Sequence, residues 1–212
     1  MIIPRSSISS HWRGFRGGIF LALLVILGGA AEAQFTDWQD PLLPGDRDWA
    51  DPNNWTGGVP GGANFSRARI DAGVAEVRTP GQGTGFGLTI GDFVDAGLVV
   101  TGGGSLLNYT NPFFLPAEVI VASALGSSGD VSITGSGSQW IADADFYLGW
   151  GGDAVLSIDS GGRLDTDRFA YLGFATSGTA LATIEGTGSL WEATGPVAIA
   201  QDGAADVSIR AG

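Results

Sequence analysis

Short runs in which apolar and polar positions alternate dominate the chain from Val131 onward. Val131-Ser132-Ile133, Leu156-Ser157-Ile158, Ala182-Thr183-Ile184 and Val207-Ser208-Ile209 share the pattern apolar-Ser/Thr-Ile, and their isoleucines recur at a nearly constant interval. A period of two places the outer residues of each run on one face of a strand and the Ser or Thr on the other. A glycine-containing turn follows each run, then Trp140, Leu164 or Trp191, then a third apolar run: Phe146-Tyr147-Leu148, Ala170-Tyr171-Leu172 or Val197-Ala198-Ile199. Over twice that interval, Gly137-Ser138-Gln139-Trp140 aligns with Gly188-Ser189-Leu190-Trp191, and Leu156-Ser157-Ile158 meets Val207-Ser208-Ile209 at the same offset. Two separate blocks sharing one offset mark an internal repeat, which divides in two.

Three short strands per roughly 25 residues, separated by glycine turns, suit one coil of a parallel β-helix, whose apolar face is buried only when coils stack. The pattern therefore predicts an all-β fold: a right-handed parallel β-helix with about 25 residues per coil and an N-terminal capping segment. Ile133, Ile158, Ile184 and Ile209 are expected to stack as an internal ladder. An antiparallel sandwich of hairpins also explains short strands, but nothing in it requires a fixed period. A weaker copy, Leu98-Val99-Val100-Thr101-Gly102 before Ser105-Leu106-Leu107, lies more than one period ahead of its successor, which implies an insertion around Tyr109 to Pro116. The last strand stops inside a coil, so further coils are expected from a longer chain or a second copy.

These residues resemble the repeat associated with type V autotransporter passengers and PEP-CTERM exported proteins. The matching elements are Gly137-Ser138-Gln139-Trp140, Tyr147-Leu148-Gly149, and Val155-Leu156-Ser157-Ile158 with Gly161-Gly162; Tyr171-Leu172-Gly173 and Gly188-Ser189-Leu190-Trp191 repeat them. Ala198-Ile199-Ala200 departs, lacking the aromatic and the glycine. The resemblance covers roughly residues 119–212. It implies a β-helical passenger on or beyond the outer surface of a Gram-negative cell, and it brings no catalytic residues.

The N-terminus changes the picture of where the protein works. Arg5, Arg13 and Arg16 precede an unbroken apolar run, Ile19 to Leu27, and a small-residue stretch ending in Ala31-Glu32-Ala33. That is the layout of a secretory signal over residues 1–33, with a mature start near Gln34. The apolar run is too short to span a bilayer, so no transmembrane span is expected in the mature chain. Residues 34–80 read as the N-terminal cap and 81–212 as the β-helix repeats. Within the cap, Asp48-Trp49-Ala50-Asp51-Pro52-Asn53-Asn54-Trp55 sets two tryptophans between turn formers. Trp49 and Trp55 would cover the open end of the core; the alternative is a platform for stacking sugars.

Composition removes most catalytic chemistry. The only histidine, His11, falls within the signal, and the chain has neither cysteine nor lysine. A Ser-His-Asp triad, a Cys/His zinc site and Schiff-base chemistry are thereby excluded from the mature chain. Ten arginines less Arg5, Arg13 and Arg16 leave seven, and 22 acidic residues less Glu32 leave 21, for a mature charge of −14. Such a chain repels phosphate backbones, so no nucleic-acid partner is expected; glycans or proteins at the cell surface or outside the cell are the partner classes. The function expected is therefore that of a structural or adhesive surface module without catalysis. The alternative is a carboxylate-based polysaccharide-acting enzyme or carbohydrate-binding module. Asp143 with Asp145, and Asp165 with Asp167, are its candidate residues, each pair spaced i, i+2, which puts both carboxylates on the same face of a strand or together in a turn. Asp143 and Asp165 fall in comparable turns of successive coils, where a stack of carboxylates would bind calcium, the one candidate cofactor. Ion pairs with Arg163 or Arg168 are the plainer expectation for these aspartates. The sequons at Asn54, Asn64 and Asn108 carry no weight in a bacterial host.

Overall fold

The computed structural model describes residues 35–39, 46–61, 66–81, 83–109 and 117–210, all within the unit Ala33–Gly212. The signal segment, positions 110–116 of the expected insertion, and Asn64 lie outside the described residues. The described chain is all-β, with three parallel sheets and no α-helix. The first sheet holds seven strands in the order Phe35–Asp37, Arg67–Ile70, Gly87–Ile90, Glu118–Val121, Asp145–Leu148, Ala170–Leu172 and Val197–Ile199. The second runs Gly83–Gly85, Ser105–Tyr109, Gln139–Asp143, Arg163–Thr166 and Leu190–Ala193, and the third Gly73–Val77, Ala96–Val100, Ser128–Thr134, Asp153–Asp159, Thr179–Glu185 and Ala204–Arg210. From Arg67 on, consecutive strands fall in different sheets, and each pairs with the strand three further along.

Alternation decides what enters the core. In the third sheet Val77, Val100, Ile133, Ile158, Ile184 and Ile209 are in register, strand on strand. The isoleucine row thus continues upstream through two valines. Ile133 and Ile158 are fully buried and Ile184 nearly so, whereas Ile209, on the last strand, is 78% exposed. The outward partners of this row are Ser132, Ser157, Thr183 and Ser208.

The second sheet holds the large inward side chains. Leu106, Trp140, Leu164 and Trp191 are in register, and the next inward row is small: Asn108, Ala142, Thr166 and Ala193. The small row makes room for the indoles and supplies their polar partners. Trp140 Nε1 donates to Asn108 Oδ1 at 2.8 Å, and Trp191 Nε1 to Thr166 Oγ1 at 3.1 Å. Phe146 of the first sheet sets its ring edge-on to Trp140, centroids 5.5 Å apart.

The parallel pairing reaches back to Phe35, well inside the segment read as a cap. Two isolated bridges follow in the described part of that segment: Asp48 bridges Glu76 in parallel, and Trp38 bridges Trp55 in antiparallel fashion. Trp38, Trp49 and Trp55 are buried and continuous with the core. Their rings meet edge to face at 5.1 and 4.7 Å, and Trp55 Nε1 donates to the Trp49 carbonyl at 2.8 Å.

Candidate functional site

Five aromatic side chains gather on the solvent side of the first sheet, and the strand geometry explains why. Tyr147 is flanked by the inward Phe146 and Leu148, and Tyr171 by Ala170 and Leu172, so both tyrosines must point outward. Pairing Tyr147 with Tyr171 stacks the two rings, centroids 4.9 Å apart and planes 11° from parallel. Phe169, which precedes Ala170, stacks on Tyr171 at 5.7 Å and is 45% exposed.

The corner that follows brings in the other two rings. Gly91, Ala122, Gly149, Gly173 and Ala200, at the corners after successive strands of this sheet, all take a left-handed φ between +54° and +72°. Glycine adopts this conformation without strain, and a Cβ on Gly149 would collide with the Thr179 carbonyl oxygen. Ala200, where the sequence loses the motif glycine, keeps the same turn. The residues after Gly149 and Gly173 are Trp150 and Phe174, and the corner returns their rings to the tyrosines. The Trp150 ring centroid lies 4.5 Å from that of Tyr147 and 4.6 Å from that of Phe174; Phe174 meets both tyrosines edge to face, with centroids 5.2 Å apart.

Charged groups border the cluster as neutralised pairs. Arg168 Nε lies 3.1 Å from Asp145, and Arg67 lies 3.5 Å from Glu118. Burial pushes the Tyr147 phenol up to about 12, and the carboxylates of Asp145 and Glu118 add to the shift. That phenol therefore stays protonated through neutral pH. Across the described residues every arginine has a carboxylate within 4.0 Å.

The aspartates singled out from sequence are not brought together as expected. Asp165 lies within a strand opposite Ile141, not opposite Asp143. Trp140 pairs with Leu164 and Ala142 with Thr166, so one step further along the same register Asp143 is level with Asp167 instead. Neither i, i+2 pair shares a strand face. Asp143 ends one strand and Asp145 begins the next in another sheet, with buried Ala144 at the corner between them; Asp167 likewise falls beyond the end of the strand that holds Asp165. Asp165 accepts from Arg163 at 2.7 Å and from Gln139 at 2.7 Å, and Arg163 also reaches Glu192 at 2.6 Å. Asp167 accepts from Thr194 at 3.1 Å. Among the described residues no group of three or more acidic or histidine side chains gathers as a metal site. Trp49 and Trp55, the other sequence candidates, offer no ring face to a sugar because both are buried; they pack with Trp38 in the continuous core instead. Asn54 and Asn108 are buried as well. Sequence reasoning registers Tyr147 and Tyr171 only as motif positions. The available signal is an aromatic at the outward position of two successive three-residue apolar runs.

Compared with family models, curated proteins and solved structures, the chain matches none. Among the described residues no helix is long and apolar enough to cross a membrane.

Proposed function

We propose that this chain is an exported, passenger-type β-solenoid, a right-handed parallel β-helix with about 25 residues per coil. It serves as a non-catalytic structural or adhesive module at the surface of, or outside, a Gram-negative cell. The observation that carries this reading is the register of the third sheet. Its isoleucines pair one above another at a nearly constant interval, as a chain winding around one core requires. A right-handed path is the one that a strand, crossover and parallel strand take in nearly all sheets. Each arginine among the described residues is occupied by a carboxylate, so no cation there is left over to neutralise an acidic sugar, which a lyase of acidic glycans needs.

Two measurements test the proposal. The exported protein should begin at or within a residue or two of Gln34, as read by intact mass; extracellular protein retaining Met1 to Ala33 would overturn the export reading. On a panel of acidic and neutral polysaccharides the purified protein should release no products. Turnover that Asp165→Ala abolishes while the circular dichroism spectrum is unchanged would make the protein an enzyme and end the passenger reading.

A further inference from the structure

The five-ring cluster on the first sheet lies apart from the continuous core. None of Tyr147, Trp150, Phe169, Tyr171 and Phe174 belongs to the continuous buried cluster. The matching outward row of the third sheet is filled by Ser132, Ser157, Thr183 and Ser208, so the fold does not need aromatic side chains outside. Phe169 is exposed and Trp150, Tyr171 and Phe174 are half-buried around the buried Tyr147, and a contiguous apolar patch that reaches solvent marks an interaction surface.

We propose that this cluster binds a neutral glycan, the adhesive ligand of the module. The inference rests on the passenger reading and names the ligand class of that same protein. Three features select the ligand. Phe169, Tyr171 and Tyr147 stack as three nearly parallel rings whose facing sides cover one another, which leaves the ring of Phe169, 45% exposed at one end, to accept the apolar C–H face of a pyranose. Neither phenol hydroxyl has a hydrogen-bond partner among the described residues, although Tyr147 is only 8% exposed. Such hydroxyls beside the rings are free to donate to, and accept from, the hydroxyls of a sugar lying on them. Charge complementarity selects the rest. Asp145 with Arg168 and Glu118 with Arg67 form neutral pairs, so the border of the cluster offers hydrogen-bonding groups without a net charge to hold an ion. An acidic glycan would also meet the repulsion of a mature chain with a net charge of −14, that is, seven arginines against 21 acidic residues. An apolar platform with a few placed polar groups is the general character of such sites.

The test is binding of the purified full chain to soluble neutral oligosaccharides with β-1,4-glucan, β-1,4-xylan and α-1,4-glucan backbones. Oligogalacturonate and poly-arginine serve as charged comparisons. Binding is read by calorimetry and by the change in tryptophan fluorescence. At least one neutral oligosaccharide should bind, with Phe169→Ala and Tyr171→Ala each weakening it about tenfold or more. Tyr171→Phe, which removes only the hydroxyl, should weaken it a few-fold. Trp150→Phe should retain binding and lose most of the fluorescence change. Leu181→Ala, at an exposed apolar residue on the third sheet, should change nothing. Folded protein that binds no neutral oligosaccharide overturns the proposal. So does binding that is indifferent to Phe169→Ala and Tyr171→Ala, or binding of poly-arginine alone, which would assign the cluster to a basic polypeptide. These failures leave the passenger reading standing. Release of cleaved sugar from a bound glycan would do the reverse, ending the non-catalytic reading while keeping the site.

Discussion

Replacing Trp140 with alanine is expected to destabilise the protein by about 3–5 kcal/mol, the largest loss from any single side chain considered. Trp140 is fully buried, lies in register between Leu106 and Leu164, and meets the edge of Phe146 across the core. Strands paired above and below hold these neighbours in place, so the void cannot collapse. A polar penalty adds to the cavity. Asn108 Oδ1 accepts the indole N–H at 2.8 Å, and Asn108 Nδ2 already has no partner among the described residues. Trp140→Ala would leave a fully buried amide with neither end satisfied. Trp140→Phe retains most of the volume and removes only the hydrogen bond, so it should cost less, about 1–3 kcal/mol. Urea titration followed by circular dichroism measures both. Equal losses for the two variants would show that the hydrogen bond, not the filled volume, dominates; a loss under about 1 kcal/mol for alanine would contradict the burial of the indole.

How much of this is legible in the sequence depends on how constant the repeat is. The near-constant interval between Ile133, Ile158 and Ile184 is visible at once, and so is the strand alternation around them. The same row extends to Val100 and Val77, but the step from Val100 to Ile133 is far longer than one period, the step from Val77 to Val100 is slightly shorter, and valine replaces isoleucine. The copy at Val100 is still legible as a weaker repeat with an insertion after it, whereas Val77 and the strands before it fall in the segment that reads as a cap. Trp49 and Trp55 stand out as a pair through their spacing between turn formers, and the structure brings their rings into contact. Trp38, distant along the chain, joins them only through its antiparallel bridge to Trp55. The placement of the aspartate pairs is hidden for a different reason. Period-two reasoning holds inside a strand, and a corner at Ala144 lies between Asp143 and Asp145. Corners hide the aromatic cluster too: Trp150 and Phe174 follow left-handed residues, after which strand alternation no longer says where a side chain points.

The isoleucine row offers a test of the fold that uses position alone. Ile158→Ala is expected to cost roughly 2–5 kcal/mol, because the lost side chain lies fully buried between Ile133 and Ile184 on adjacent strands. Ser157→Ala, one residue away on the outward face, should cost less than about 0.5 kcal/mol. The contrast follows from the alternation of a strand, since neighbours in sequence face opposite sides of the sheet. A second contrast follows from stacking. Ile209 continues the same row, yet it is 78% exposed with no described strand on its far side. Ile209→Ala therefore removes little buried surface and leaves no enclosed cavity, so it should cost well below Ile158→Ala despite the identical chemistry. Hydrophobicity of the residue cannot produce that gradient; only enclosure by strands on both sides can. Equal costs for Ile158→Ala and Ser157→Ala in a urea titration would contradict the inward assignment. Equal costs for Ile158→Ala and Ile209→Ala would contradict the stacking, because the interior of the row would then be no better enclosed than its end.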